Sequence, residues 1–212
     1  SNKYGYSGVD IPTQAFQANV GKFDPAEINE LVQEDKWTQY GQLELLQTQT
    51  ISSATADFTA LQETTYNVHL FTLTDCNTSG QTELGIRVSN DNGSSFETAS
   101  YQFANQRGYS NGSFAERKST SQGSIRLGGD VTTYSNSVFN GYFYMYNAGD
   151  SAKFTYFTSH NTFTQGTIAT MEFGSGVYNN AESINAIRIG EGASTTAFTS
   201  GIISAYGIKE YS

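Results

Sequence analysis

The chain of 212 residues carries 11 Lys and Arg against 20 Asp and Glu, a formal charge of −9. That balance is repelled by phosphate backbones and by anionic bilayers, so neither nucleic acid nor a membrane is expected as a partner. No apolar run approaches the roughly 20 residues of a helical membrane span, and the single Cys76 cannot form an internal disulfide.

Residues 1–40 read as an N-terminal attachment arm with one short helix. Tyr4, Tyr6, Ile11, Pro12, Phe16 and Phe23 follow neither a strand nor a helix period. The stretch is too aromatic for a free tail and too irregular for a core element. It can wrap over its own domain or anchor to a neighbouring subunit, and the anchor is the expectation. Asp24 is placed to cap a helix, Pro25 to occupy its first position and Glu27 to complete a capping box. Ile28, Leu31 and Val32 then make one apolar stripe, and the helix is expected to stop near Lys36. The opening SNKYGYSGVD lacks the apolar core of a signal peptide, so a native start at Ser1 would mean a chain folded in a cytoplasm.

Residues 41–212 read as a β domain. Strands are expected at Gln42–Ile51 and Ala54–Leu61, followed by three consecutive antiparallel strands within Thr65–Phe103. The Asn92-Gly93 pair there predicts a tight hairpin. The stretch Asn105–Gln122 has no clear period and reads as a long loop, with Arg107, Tyr109, Arg117 and Lys118 as candidate contact residues. Further strands are expected at Gly123–Leu127, Val138–Asn147, Ala152–His160, Thr167–Phe173, Ile184–Ile189 and Ser200–Lys209. Turn signals lie between them at Gly128-Gly129-Asp130, Gly149-Asp150, Gly174-Ser175-Gly176 and Gly190-Glu191-Gly192. Together these predict an all-β chain, a jelly-roll-like antiparallel β-sandwich with an N-terminal extended arm and one short helix.

Tyr142, Tyr144 and Tyr146 alternate with Phe143 and Met145, so both faces of that strand are apolar enough to be covered. The tyrosines either pack inside or form a ladder at a subunit contact or under a glycan. Chemistry is weakly signalled. Gly108-Tyr109-Ser110-Asn111-Gly112 matches G-x-S-x-G, with Asp130 or Asp150 and His160 following in esterase order. That motif works only on a strand-to-helix turn above a parallel sheet, which an all-β chain does not offer. His69, His160 and Cys76 lack metal-site spacing, and nothing in the sequence joins Glu116 to Glu172 as a glycosidase pair. The expectation is no catalytic residue, no cofactor and no metal.

Several strings together resemble small virion structural proteins of tailed bacteriophages, particularly those of aquatic bacteria. They are Ile11-Pro12-Thr13-Gln14, Phe23-Asp24, Tyr66-Asn67-Val68-His69, the run from Ile86 to Phe96, Tyr101-Gln102-Phe103, Ile184-Asn185-Ala186-Ile187-Arg188 and Ala205-Tyr206-Gly207-Ile208. The resemblance implies a place in a virion. The leading expectation is a non-enzymatic capsid decoration protein attached through its arm. Other virion proteins of the capsid lattice or tail would be its partners, together with copies of itself. The alternative is a receptor-binding or tail-fibre adhesin module that holds host glycan. Only a few residues separate Lys36 from Gln42, too few for a fibre shaft.

Overall fold

The computed structural model describes residues 25–33, 43–80, 82–131, 137–191 and 198–209. The chain divides into two compact units, residues 1–42 and residues 43–212. In the first, Pro25–Gln33 forms one α-helix, α1. Proline suits that opening position because its missing N–H would have no helical partner there. The arm residues Tyr4, Tyr6, Ile11, Pro12, Phe16 and Phe23 lie outside the described residues.

The second unit holds twelve strands among its described residues. They are β1 (Leu43–Thr50), β2 (Ala56–Phe58), β3 (Val68–Thr78), β4 (Thr82–Ser89), β5 (Tyr101–Tyr109) and β6 (Phe114–Gln122). Then come β7 (Ile125–Val131), β8 (Phe139–Tyr146), β9 (Thr155–Gln165), β10 (Ile168–Tyr178), β11 (Ala186–Glu191) and β12 (Phe198–Ile208). An eight-stranded sheet runs β1-β12-β3-β8-β9-β10-β5-β6, and a four-stranded sheet runs β2-β11-β4-β7. Every strand pair among the described residues is antiparallel. The chain is therefore an all-β sandwich of two antiparallel sheets, as the alternation predicts.

The pairings have a simple logic. The outgoing strands β1, β2, β3 and β4 each pair with a returning strand, β12, β11, β8 and β7 respectively. These eight strands form a folded ribbon. Two hairpins interrupt it, β5–β6 at its tip and β9–β10 on the return, and both extend the larger sheet.

Alternation fills the space between the sheets. Phe71, Leu73, Phe143, Met145, Phe157 and Phe163 point inward from the large sheet, and Phe58, Leu84, Ile86, Val88, Ile187 and Ile189 from the small one, all buried. Phe71 stacks on Phe143 at 4.6 Å between centroids and meets Phe58 edge-on at 5.6 Å, joining the sheets. Such pairs contribute about 0.5–1.5 kcal/mol each beyond their burial.

Four expectations are corrected. The three strands of the Thr65–Phe103 stretch do not pair with one another, because β3 and β5 lie in the large sheet and β4 in the small one. Asn92 and Gly93 do adopt positive φ, 60° and 82°, but they turn a connection that crosses between sheets. Asn105–Gln122 is not a loop; it contains most of the β5–β6 hairpin. Gly174-Ser175-Gly176 and Gly128-Gly129-Asp130 are not turns; they lie inside β10 and β7. At Gly176 a Cβ would come within 2.8 Å of the Ile125 side chain, so this glycine admits a neighbour rather than bending the chain.

Candidate functional site

The small sheet covers one face of the large sheet. Among the described residues of the β unit nothing covers the other, and the exposed large apolar side chains gather there. On β8 the inward set is Phe139, Phe143 and Met145, fully buried, which turns Tyr142, Tyr144 and Tyr146 outward. The alternative with tyrosines inside is thereby excluded. Tyr142 is 42 % exposed, Tyr156 47 % and Phe173 45 %.

Character changes across this face along each row of cross-strand partners. One row begins Leu45–Tyr206–Leu70–Tyr144 on β1, β12, β3 and β8. It continues Thr158–Ser175–Ala104–Lys118 on β9, β10, β5 and β6. The β1 end is aliphatic, with Leu43 50 % and Leu45 57 % exposed. The far end carries hydroxyls, a methyl and an ammonium.

Two flanking rows stand taller. On one side Tyr146 faces Tyr156, which faces Val177, which faces Gln102. On the other Tyr142 faces His160, then Phe173, then Gln106 and Glu116. The short side chains of Thr158, Ser175 and Ala104 lie between these walls, so the surface sinks into a groove across the strands. The depressions along it measure about 720 Å³ beside Tyr156, Val177 and Gln102 and about 420 Å³ beside Phe173 and Gln106; Ala104 and Lys118 line both. Lys118 Nζ is 2.7 Å from Glu116 Oε2 at the β6 end. Their contact raises the Lys118 pKa and lowers that of Glu116 from the ordinary values.

Rings connect the tyrosine strand to this groove. Tyr146 stacks on Tyr144 at 6.2 Å, Tyr144 meets Tyr142 edge-on at 5.9 Å, and Tyr142 meets His160 at 6.0 Å. His160 then meets Phe173 at 6.3 Å. Five rings thus form one continuous chain from β8 to β10.

Beneath the groove, on the inward side, lies a polar cluster. Arg107 on β5 donates from Nε and Nη2 to Glu172 Oε2 on β10, at 2.9 and 2.7 Å, with both side chains fully buried. Asn105 Nδ2 donates to Glu172 Oε1 at 3.0 Å and to the Arg126 carbonyl of β7. Arg126 in turn lies 2.6 Å from Glu83 on β4 and 3.8 Å from Glu172. The Arg107 guanidinium packs 5.5 Å from the Phe163 ring centroid. A buried pair persists only when its remaining polar atoms are also hydrogen-bonded, and this arrangement largely meets that demand.

The candidate contact residues separate accordingly. Arg107 is a buried structural cation, not a contact residue, because β5 turns it inward onto Glu172. Arg117 also lies on the inward side, opposite Asn105, and is half-buried. Tyr109 is half-buried at the end of β5, 6.0 Å from the Arg107 guanidinium. Lys118, Tyr142, Tyr144 and Tyr146 do share the outer face. Ser110 sits in the turn of the β5–β6 hairpin, where Gly112 has φ 87° and Tyr109 N–H reaches the Ser113 carbonyl. That turn connects two antiparallel strands and is not the strand-to-helix elbow the esterase motif needs. Glu116 and Glu172 face opposite sides of the sheet, so they do not flank a common bond.

Tyr156, Phe173 and Ser175 belong to the face but are absent from the candidates drawn from sequence, and His160, weighed there only for esterase order and metal spacing, joins them. Their signal is every-second-residue spacing, Tyr156-Thr158-His160-Thr162 on β9 and Phe173-Ser175-Val177 on β10. Polar residues at half of those positions mask it.

Comparison with protein-family models, with curated proteins and with solved structures finds no significant match to this chain.

Proposed function

We propose that this chain is a non-enzymatic structural protein of a virus particle, a capsid decoration protein whose β-sandwich forms a knob on the particle surface. The pairing of each outgoing strand with a returning one supports the jelly-roll winding expected of such a knob. The observation that carries the reading is a band of exposed aliphatic side chains along β1 and β12, Leu43 and Leu45 at one end and Ile202 beyond the hydrogen-bonded Thr48–Ser204 hydroxyl pair, 46–57 % exposed. Exposed aliphatic surface of this kind favours a protein contact. It begins on the strand that follows the N-terminal segment in sequence, so attachment through that segment and through the band are compatible.

Quantitative mass spectrometry of purified particles tests the reading. A copy number near that of the major capsid protein supports decoration, a handful of copies points to the tail, and absence from particles refutes both. Leu45→Asp is expected to weaken attachment while leaving the fold intact, since Leu45 lies on the solvent face.

A second reading, an adhesin module that holds glycan, is favoured by one separate observation. The five-ring chain from Tyr146 to Phe173 ends in an open groove lined with hydroxyls and amides. Aromatic side chains with polar neighbours suit partners that are apolar on one face and hydroxylated at the rim.

A further inference from the structure

The groove has a shape and a chemistry that narrow its occupant. Its floor consists of side chains, Thr158, Ser175 and Ala104, on strands whose backbone groups are already paired on both sides. An extended peptide could not add to the sheet there, because strand addition needs a free edge. The walls set aromatic Tyr156 and Phe173 and aliphatic Val177 beside His160, Gln102 and Gln106, so apolar surface alternates with hydrogen-bonding groups along the groove. The charges within reach are Lys118 and Glu116, which neutralise one another at 2.7 Å. No net local charge remains to hold an anion or a cation, and the whole chain at −9 repels polyanions.

Stacking walls, a floor of hydroxyls, amides at the rim and a balanced charge pair are what a sugar chain can use. Its ring faces lie against aromatics while its hydroxyls both donate and accept hydrogen bonds. We propose that the groove floored by Thr158, Ser175 and Ala104 binds a neutral, hydroxyl-rich oligosaccharide lying across strands β9, β10 and β5. This rests on the adhesin reading and deepens it by naming the subsite and the ligand class. Tyr156 and Phe173 form the two walls, and the rings from Tyr142 to Tyr146 extend the platform beyond the groove. Gln102 and Gln106 reach the hydroxyls from the β5 side, and the Lys118–Glu116 pair closes the β6 end.

The test uses the full chain on a printed array that holds neutral hexose oligomers and acidic glycans side by side, followed by titration calorimetry with the best neutral oligomer. The expected result is binding to neutral oligomers, weakened about ten-fold by Phe173→Ala or Tyr156→Ala. Ala104→Tyr is expected to abolish it. Ala104 is exposed, so a ring there fills the groove without entering the core, and an unchanged unfolding midpoint verifies the fold. Ser52→Ala, exposed in the connection between β1 and β2, is expected to bind as the parent does. Binding to acidic glycans alone, or neutral binding that survives Ala104→Tyr, overturns the groove assignment and leaves a glycan-holding adhesin standing. Binding to no glycan at all overturns both.

Discussion

Removing one partner of the Arg107–Glu172 pair is expected to cost far more than removing both. Arg107→Met would leave Glu172 buried with only Asn105 and the more distant Arg126, at 3.0 and 3.8 Å, in place of two charge-assisted bonds of 2.7 and 2.9 Å. Glu172→Met would leave the fully buried guanidinium without its counter-ion. Breaking such a pair from one side destabilises by about 3–5 kcal/mol, because an uncompensated charge stays in a dry site. For a domain of this length that corresponds to a fall in Tm of about 6–20 °C. The double variant Arg107→Met/Glu172→Met removes both charges, leaves Arg126 its contact with Glu83 and leaves Asn105 its bond to the Arg126 carbonyl. It is expected to be more stable than either single variant. Urea unfolding of the parent and the three variants measures the cycle. Single-variant losses below about 1 kcal/mol, in the range of exposed pairs, would refute the dry-pair argument. Additive losses in the double variant would refute the coupling.

His69 is buried, its Nε2 lies 2.7 Å from the Leu61 carbonyl, and its Nδ1 has no partner. Burial lowers its pKa from the ordinary 6.5, against smaller opposing effects of the Leu61 carbonyl and Glu63. The unfolded chain therefore binds the proton more readily, so the contribution of His69 is complete above 6.5 and is lost as pH falls from there through the folded pKa; urea midpoints across that range should decline with acid, and less so in His69→Gln. Burial also pushes the Cys76 thiol up to about 12, so a thiol reagent such as Ellman's should leave the native protein unmodified and react on unfolding; rapid native labelling would contradict the burial. Gly201 has φ 136°, and a Cβ there would stand 2.7 Å from the Cys76 Cα, so Gly201→Ala should lose about 1–3 kcal/mol in the same unfolding assay.

The β class was legible because most strands alternate cleanly, as Leu84, Ile86 and Val88 do, and the outward face of Tyr142, Tyr144 and Tyr146 was one of two open choices. Pairing was not legible. Proximity in sequence favours hairpins, yet β3, β4 and β5 alternate between sheets, and β4 finds β11 about a hundred residues later. The β5 strand was hidden for a different reason. Its inward positions run Tyr101, Phe103, Asn105, Arg107, and the last two look like solvent residues until Glu172 is brought opposite them from β10. The glycines of β10 misled similarly, since close approach of Ile125 and a turn call for the same residue.

The two surfaces proposed here come from different parts of the chain's design. The aliphatic band lies on β1 and β12, strands of the folded ribbon that makes the sandwich. The groove is built on β9, β10, β5 and β6, the two hairpins that interrupt that ribbon, and would not exist without them. Hairpins inserted far apart in sequence must be held in register, and the hydrogen bonds between β5 and β10 alone do not specify it where Gly174, Ser175 and Ala104 pair. Arg107 and Glu172 are direct partners in that same ladder, one residue along from Gln106 and Phe173, which form a wall of the groove. A slip of one residue between β5 and β10 would turn Arg107 outward and Gln106 inward while Glu172 stayed buried without its counter-ion. The buried pair thus ties the dry side of the sheet to the geometry of its wet side, which gives a physical reason for placing so costly an interaction beneath the groove rather than under the aliphatic band.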